Sequence, residues 1–175
     1  MRRDLGTAER SEIAHRAVKA LSEFPREAAA FVPEAALPAP ESAALLLQAA
    51  GEAQATGAGR EAASWWTARL PFLPEDERAT AGLQAAHLWR LHDPARAEEQ
   101  ARAVFEDLRA PDELRAEAAL LRAALAWELG REAEAEAALQ TLPEGWRANI
   151  ADRWHLALMT LRVTRQDVAG ALCRI

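Results

Sequence analysis

The sequence predicts an all-α protein built as an array of about five antiparallel helix hairpins. Alanine makes up about a quarter of the 175 residues, and Ala, Leu, Glu and Arg together well over half. These residues lose little side-chain freedom in a helix. Tyr is absent, as are the alternating Val, Ile and Thr runs of strands. The second observation is a register of alanines: Ala28, Ala62, Ala97, Ala135 and Ala169 are separated by 34, 35, 38 and 34 residues. Bulky or apolar neighbours follow three and four residues later, at Phe31/Val32, Trp65/Trp66, Gln100/Ala101, Ala138/Leu139 and Leu172/Cys173. Only Gln100 breaks the rule. A period near 34 marks stacked helical hairpins, each too small to bury its apolar face alone.

The elements follow from their punctuation. A first helix is expected over 7–23, a turn at Phe24-Pro25, and a short second helix over 25–33. Pro33, Pro38 and Pro40 interrupt the stretch up to Glu41, because interior proline removes a hydrogen bond and clashes with the preceding turn. The second pair covers 42–56 and 60–70, separated at Gly57-Ala58-Gly59, where Gly57 suits the left-handed end of a helix. Pro71 and Pro74 make the next break, and Glu75-Asp76-Glu77 then meet the positive end of a new helix dipole. The third pair is 75–91 with 94–109, and Asp93 before Pro94 is a strong N-cap signal. The fourth opens at Pro111-Asp112-Glu113, turns at Gly130 and runs to Leu142. The fifth pairs 146–163 with 165–174, with Thr164 and Asp167 spaced as a capping box. The repeat units of this single 1–175 domain are thus about 7–38, 41–71, 75–109, 111–143 and 146–175.

Twelve residues before four of the anchors stand Ala50, Ala85, Ala123 and Ala157, small enough for two helices to approach closely; Arg16 breaks the pattern in the first unit. Six before the anchors come Leu91, Leu129 and Val163. The segment Leu120 to Pro143 combines a small first-helix residue (Ala123), a glycine turn (Gly130), alanine anchors (Ala135, Ala138) and a closing proline. With these features the chain resembles the tetratricopeptide repeat family, well over 40–175 and loosely over 7–40. Leu88, Ala126 and Thr160 stand where members of that family carry an aromatic. The resemblance implies a right-handed α-solenoid whose concave inner face, made by the first helix of each pair, binds a peptide, helix or partner protein. An alternative is a ligand- or partner-sensing regulatory arm of a transcription or signalling regulator.

Composition narrows the function further. The net charge is −6, and 20 of the 21 basic residues are Arg, a bias typical of GC-rich bacterial coding. Acids interleave the arginines, which argues against nucleic-acid binding. No stretch approaches the ~20 apolar residues of a membrane span, and Asp4 to Arg10 follow the initial Met-Arg-Arg where a signal peptide needs an apolar run. The expected location is therefore cytoplasmic. Homo-oligomerisation stays open. His15, His87, His92 and His155 form no metal-ligand pattern, lone Cys173 reads as a small hydrophobe, and Gly57-Ala58-Gly59 is no phosphate loop. The acid pairs Glu98/Glu99 and Glu134/Glu136 belong to solvated helix faces. The expectation is a protein that is not an enzyme, with no catalytic residues, cofactor or metal. The family's chaperone-tail version grips a carboxylate with Lys and Asn, and one Lys (Lys19) and one Asn (Asn149) cannot build that clamp.

Trp89 and Trp127 lie eight residues before their anchors, and Trp154 lies fifteen before Ala169, two helical turns away on the same stripe. The candidate partner-binding groove is therefore Trp89, Trp127 and Trp154, flanked by Arg90, Glu128 and Arg162. Aromatic residues with Arg nearby are typical anchors of binding hot spots. The alternative is that these tryptophans fill gaps left by the alanines.

Overall fold

The computed structural model describes residues 6–140 and 142–145. Among them every regular element is helical: α1 (Thr7–Ala20), α2 (Pro25–Ala29), α3 (Val32–Ala35), α4 (Ala39–Ala55), α5 (Gly59–Arg69), a 3-10 turn at Leu70–Phe72, α6 (Glu75–Trp89), α7 (Pro94–Glu106), α8 (Asp112–Glu128) and α9 (Glu132–Gln140). The expected fifth pair, with Ala157 and Ala169, lies outside the described residues. Two compact units divide between His92 and Asp93. That division falls inside the third sequence repeat, so its two helices, α6 and α7, belong to different units. In the first unit α1 packs on α2 and α3, α2 on α4, α4 on α5 and α5 on α6; in the second, α8 packs on both α7 and α9.

Proline fixes where three of these helices begin. Pro38, Pro74 and Pro111 are the N-caps of α4, α6 and α8, all extended, with φ near −53° and ψ of 142°, 152° and 144°. The fixed ring torsion suits this extended entry, and no intrahelical donor is lost because the first helical N–H groups have no partner in any case. Helix α4 begins three residues before its expected start, with Pro40 inside its first turn. That position tolerates proline for the same reason. The break expected from Pro33 to Glu41 shrinks to 36–38, around Ala36 in the left-handed region (φ 48°).

Asp93 caps α7 as expected, its carboxylate accepting the Arg96 N–H at 3.2 Å. Gly57 and Gly130 are both left-handed, at φ 76° and 73°, and close α4 and α8 identically. Gly57 donates to Gln54 (3.0 Å) and Ala58 to Ala53 (2.8 Å); Gly130 donates to Trp127 (2.9 Å) and Arg131 to Ala126 (2.8 Å). This double bond pattern satisfies carbonyls that a helix end would leave unpaired.

The alanine register survives in the packing. Ala28, Ala62, Ala97 and Ala135 are all 0% exposed, and Ala50, Ala85 and Ala123 are buried with them. Four residues after the anchor, Val32, Ala101 and Leu139 are buried. Three residues after it, Phe31 is exposed and Trp65, Gln100 and Ala138 are half-buried. The core position is therefore the fourth, and Gln100 occupies the one that half-faces solvent. In the first unit Arg16 is exposed, and Ala14 supplies the buried small residue of α1.

Adjacent Trp65 and Trp66, about 100° apart on α5, serve two clusters. Trp65 packs with Ala29, Val32, Leu46 and Ala49, and Trp66 with Ala43, Leu73 and Ala81. In the second unit Ala116, Ala119, Leu120, Ala123, Ala126, Ala135, Leu139 and Leu142 form one cluster, with Phe105 and Trp127 against it.

Arg–Glu pairs join second helices about one repeat apart. In the first unit Arg26 forks onto Glu61, with Nε donating to Oε1 at 2.9 Å, and Trp65 Nε1 donates to the same oxygen at 3.3 Å. In the second, Arg131 Nη2 reaches Glu98 Oε2 at 2.6 Å and Nη1 reaches Glu134 at 3.0 Å. The hydrogen bond from Arg26, opposed by partial burial and helped by Trp65, holds the Glu61 carboxyl below its ordinary pKa.

Two expectations follow. Ala135→Leu should cost roughly 1–3 kcal/mol by overpacking a close helix contact, whereas Ala133→Leu, on the exposed side of α9, should be nearly neutral in chemical unfolding. Equal losses would break the register. The second concerns pH. A carboxyl with a depressed folded pKa stabilises above its unfolded pKa, and loses that contribution as pH falls through the folded one. The melting temperature of the wild type should thus fall further than that of Glu61→Gln between neutral pH and values below about 4.3. Parallel curves would mean that Glu61 gains nothing from its partners.

Candidate functional site

Trp89 does not lie on an open face of the first unit, as a groove residue would. Trp89, at the end of α6, is 2% exposed and the largest fully buried side chain. Its indole Nε1 donates to Thr67 Oγ1 at 3.0 Å. A ring enclosed in this way cannot anchor a partner, so Trp89 is corrected from a groove residue to a core residue. Trp127 is half-buried and packs against the second unit's core. Arg90 is half-buried and Glu128 exposed. Trp154 and Arg162 lie outside the described residues.

The physical reason lies in the alanines around Trp89. Neighbours Ala85 and Ala86 are small and fully enclosed, which leaves space that one indole fills. Burial then requires the indole N–H to find an acceptor, and the Thr67 hydroxyl supplies it. The same hydroxyl oxygen donates to Ala63 O at 3.0 Å, so the pair is internally satisfied.

A different surface of the first unit has the form of a binding site. An open groove of about 570 Å³ runs along the N-terminal half of α4 and is closed on its other side by 71–74 and the start of α6. Its floor and walls are largely apolar: Ala43, Leu47, Pro71, Phe72 and Leu73, with Arg69, Glu77 and Arg78 as its charged residues. Leu47 is 40% exposed.

Both arginines are fixed by backbone carbonyls. Arg69 Nε donates to Ala43 O at 3.1 Å, and its guanidinium lies 5.4 Å from the centroid of the Trp66 ring. Arg78 Nε donates to Leu73 O at 3.0 Å. Neither has a carboxylate within ion-pair distance among the described residues. Sequence reading saw Pro71 and Pro74 only as a break. The signal was the apolar run Leu70-Pro71-Phe72-Leu73-Pro74 itself, too short and proline-rich for a helix and therefore held against one.

Glu98 and Glu134 both meet Arg131. His15, His87 and His92 are exposed, and the His92 ring lies over Gly59, where an added Cβ would fall 2.4 Å from Nε2. Among the described residues no three His, Cys, Asp or Glu side chains gather to hold a metal ion. His155 and Cys173 lie outside them. No described helix is long and apolar enough to cross a membrane.

Trp89→Ala should therefore lower stability by roughly 3–5 kcal/mol in urea unfolding, as expected for emptying a large buried site. A loss below about 1 kcal/mol would return Trp89 to the surface. Comparison with known proteins adds no assignment: no family model, curated protein or solved structure matches this chain.

Proposed function

We propose that the chain is a tetratricopeptide-like helical repeat module, a right-handed α-solenoid of stacked hairpins, that binds a peptide, helix or partner protein. The observation that carries the binding role is the open apolar groove on α4, with Leu47 uncovered and two fixed arginines beside it. A hollow of a few hundred Å³ lined mainly by apolar side chains, with a few charged groups among them, has the usual form of a ligand site. Three features support the repeat reading: the enclosed alanine anchors, the identical turns at Gly57 and Gly130, and packing between helices that are near neighbours in sequence. Arrays of this kind present extended surfaces to partners. The groove takes the place of the tryptophan stripe as the contact surface in the first unit.

A photo-crosslinking amino acid at position 47 tests this in the native host, with the exposed neighbour Gln48 as the control position. The expected result is one protein captured from position 47 and not from 48. Its purified form should then bind the wild-type chain and lose at least roughly tenfold in affinity for Leu47→Asp, at an unchanged melting temperature. Equal capture at both positions, or binding indifferent to Leu47→Asp, would overturn the groove as the contact surface.

A further inference from the structure

The two helix pairs α4–α5 and α8–α9 are offset by 73 residues, since Pro38, Ala50, Gly57 and Ala62 recur as Pro111, Ala123, Gly130 and Ala135. The same offset carries Leu47 to Leu120 and Arg69 to Leu142. In the second unit Leu120 is 8% exposed and Leu142 is 3% exposed, both in one core cluster. Leu142, just past the end of α9, lies in the same buried cluster as Leu120. In the first unit the corresponding position holds Arg69, and Leu47 is left open.

We infer that the first-unit groove takes a peptide segment carrying a large apolar side chain beside an aspartate or glutamate. This inference rests on the groove being the contact surface proposed above. The apolar side chain covers Leu47 and Phe72. The carboxylate is received by Arg69 and Arg78. Because a backbone carbonyl already accepts from each Nε, the freedom of the guanidinium planes is reduced before the ligand arrives. Their terminal amino groups remain for a carboxylate, to which a guanidinium can donate two parallel hydrogen bonds. Less side-chain freedom is then lost on binding. The charges of the lining sum to +1, two arginines against Glu77, on a chain of net charge −6. Glu77 repels a second carboxylate placed beside it, which favours one acid next to the apolar residue over an acidic run.

A random dodecapeptide display library panned against the full chain tests the inference, with selected peptides then titrated by fluorescence anisotropy. Enriched sequences should place Asp or Glu next to Leu, Ile, Phe or Trp. A selected peptide should weaken roughly tenfold or more on Arg78→Gln and on Arg69→Gln, and Arg78→Lys, which keeps the charge but not the two parallel bonds, should recover only part of that loss. Its affinity should fall as salt is raised. Arg78 is exposed, so Arg78→Gln decides the matter if Arg69→Gln lowers the melting temperature. Selected peptides that lack a carboxylate, or that ignore both arginine substitutions, yet are lost on Leu47→Asp, would overturn the acidic partner and leave the interaction module standing. Selection of no peptide that depends on Leu47 would overturn both.

Discussion

Close approach of helices at alanine is the constraint on which the rest of this structure depends. An alanine buries little apolar area, so each contact contributes modestly to the hydrophobic term, but its burial costs no rotamer entropy. Such contacts stabilise only when repeated, and they leave little room for a larger side chain. This decides where bulk can go. Leu46 and Leu139 sit beside enclosed alanines in their clusters, while Trp65 and Trp66 stay half-buried at the margins of two clusters. Trp89 is the one described tryptophan taken fully inside, and it enters with its N–H already matched to Thr67.

The literal repeat Arg26-Glu27-Ala28-Ala29 and Arg60-Glu61-Ala62-Ala63 has a physical use in this setting. The arginine of the first copy meets the glutamate of the second, so one tetrapeptide carries both halves of an ion pair that joins it to its own duplicate. Its alanines supply the close contact, being fully enclosed in both copies. A fork of two N–H···O bonds restricts how the two segments can shift along each other. In the second unit the Glu98–Arg131 pair spans 33 residues, near the 35 of the Arg26–Glu61 pair. The charges are reversed in chain order, so the spacing persists where the residues do not.

Much of the fold was legible because its signals are local. Gly57 and Gly130 announce left-handed turns, Asp93-Pro94 announces a helix start, and the alanine period identifies the buried contacts, each from a few neighbouring residues. Ala36 carried no such signal, since alanine has no preference for the left-handed region that it occupies; the surrounding chain imposes it. The early start of α4 was hidden because proline reads as a breaker unless its place in the first turn is known. The site was less legible than the fold. Spacing put Trp89 and Trp127 on one stripe but could not tell which way the stripe faces. That depends on the depth to which neighbouring alanines let an indole sink, a property of three-dimensional packing. The groove was hidden for a related reason: Leu47 follows Leu45 and Leu46 as one more apolar residue, and only packing brings it opposite Pro71, Phe72 and Leu73.

The contrast between Arg69 and Leu142 bears on why such a groove persists in an alanine-rich array. A leucine at position 69 would offer apolar area in place of charge beside Leu47, and burying such a side chain contributes up to a few kcal/mol. Arginine at that place instead spends its Nε on the Ala43 carbonyl and lays its guanidinium on Trp66. The carbonyl bond and the stacking offset part of the lost burial. They also hold the charge at the groove, where a freely rotating side chain would spread it through solvent. Stability alone would favour the leucine. On the proposed reading, a partner that brings an apolar side chain and a carboxylate would complete both the burial and the charge pairing that Arg69 leaves open.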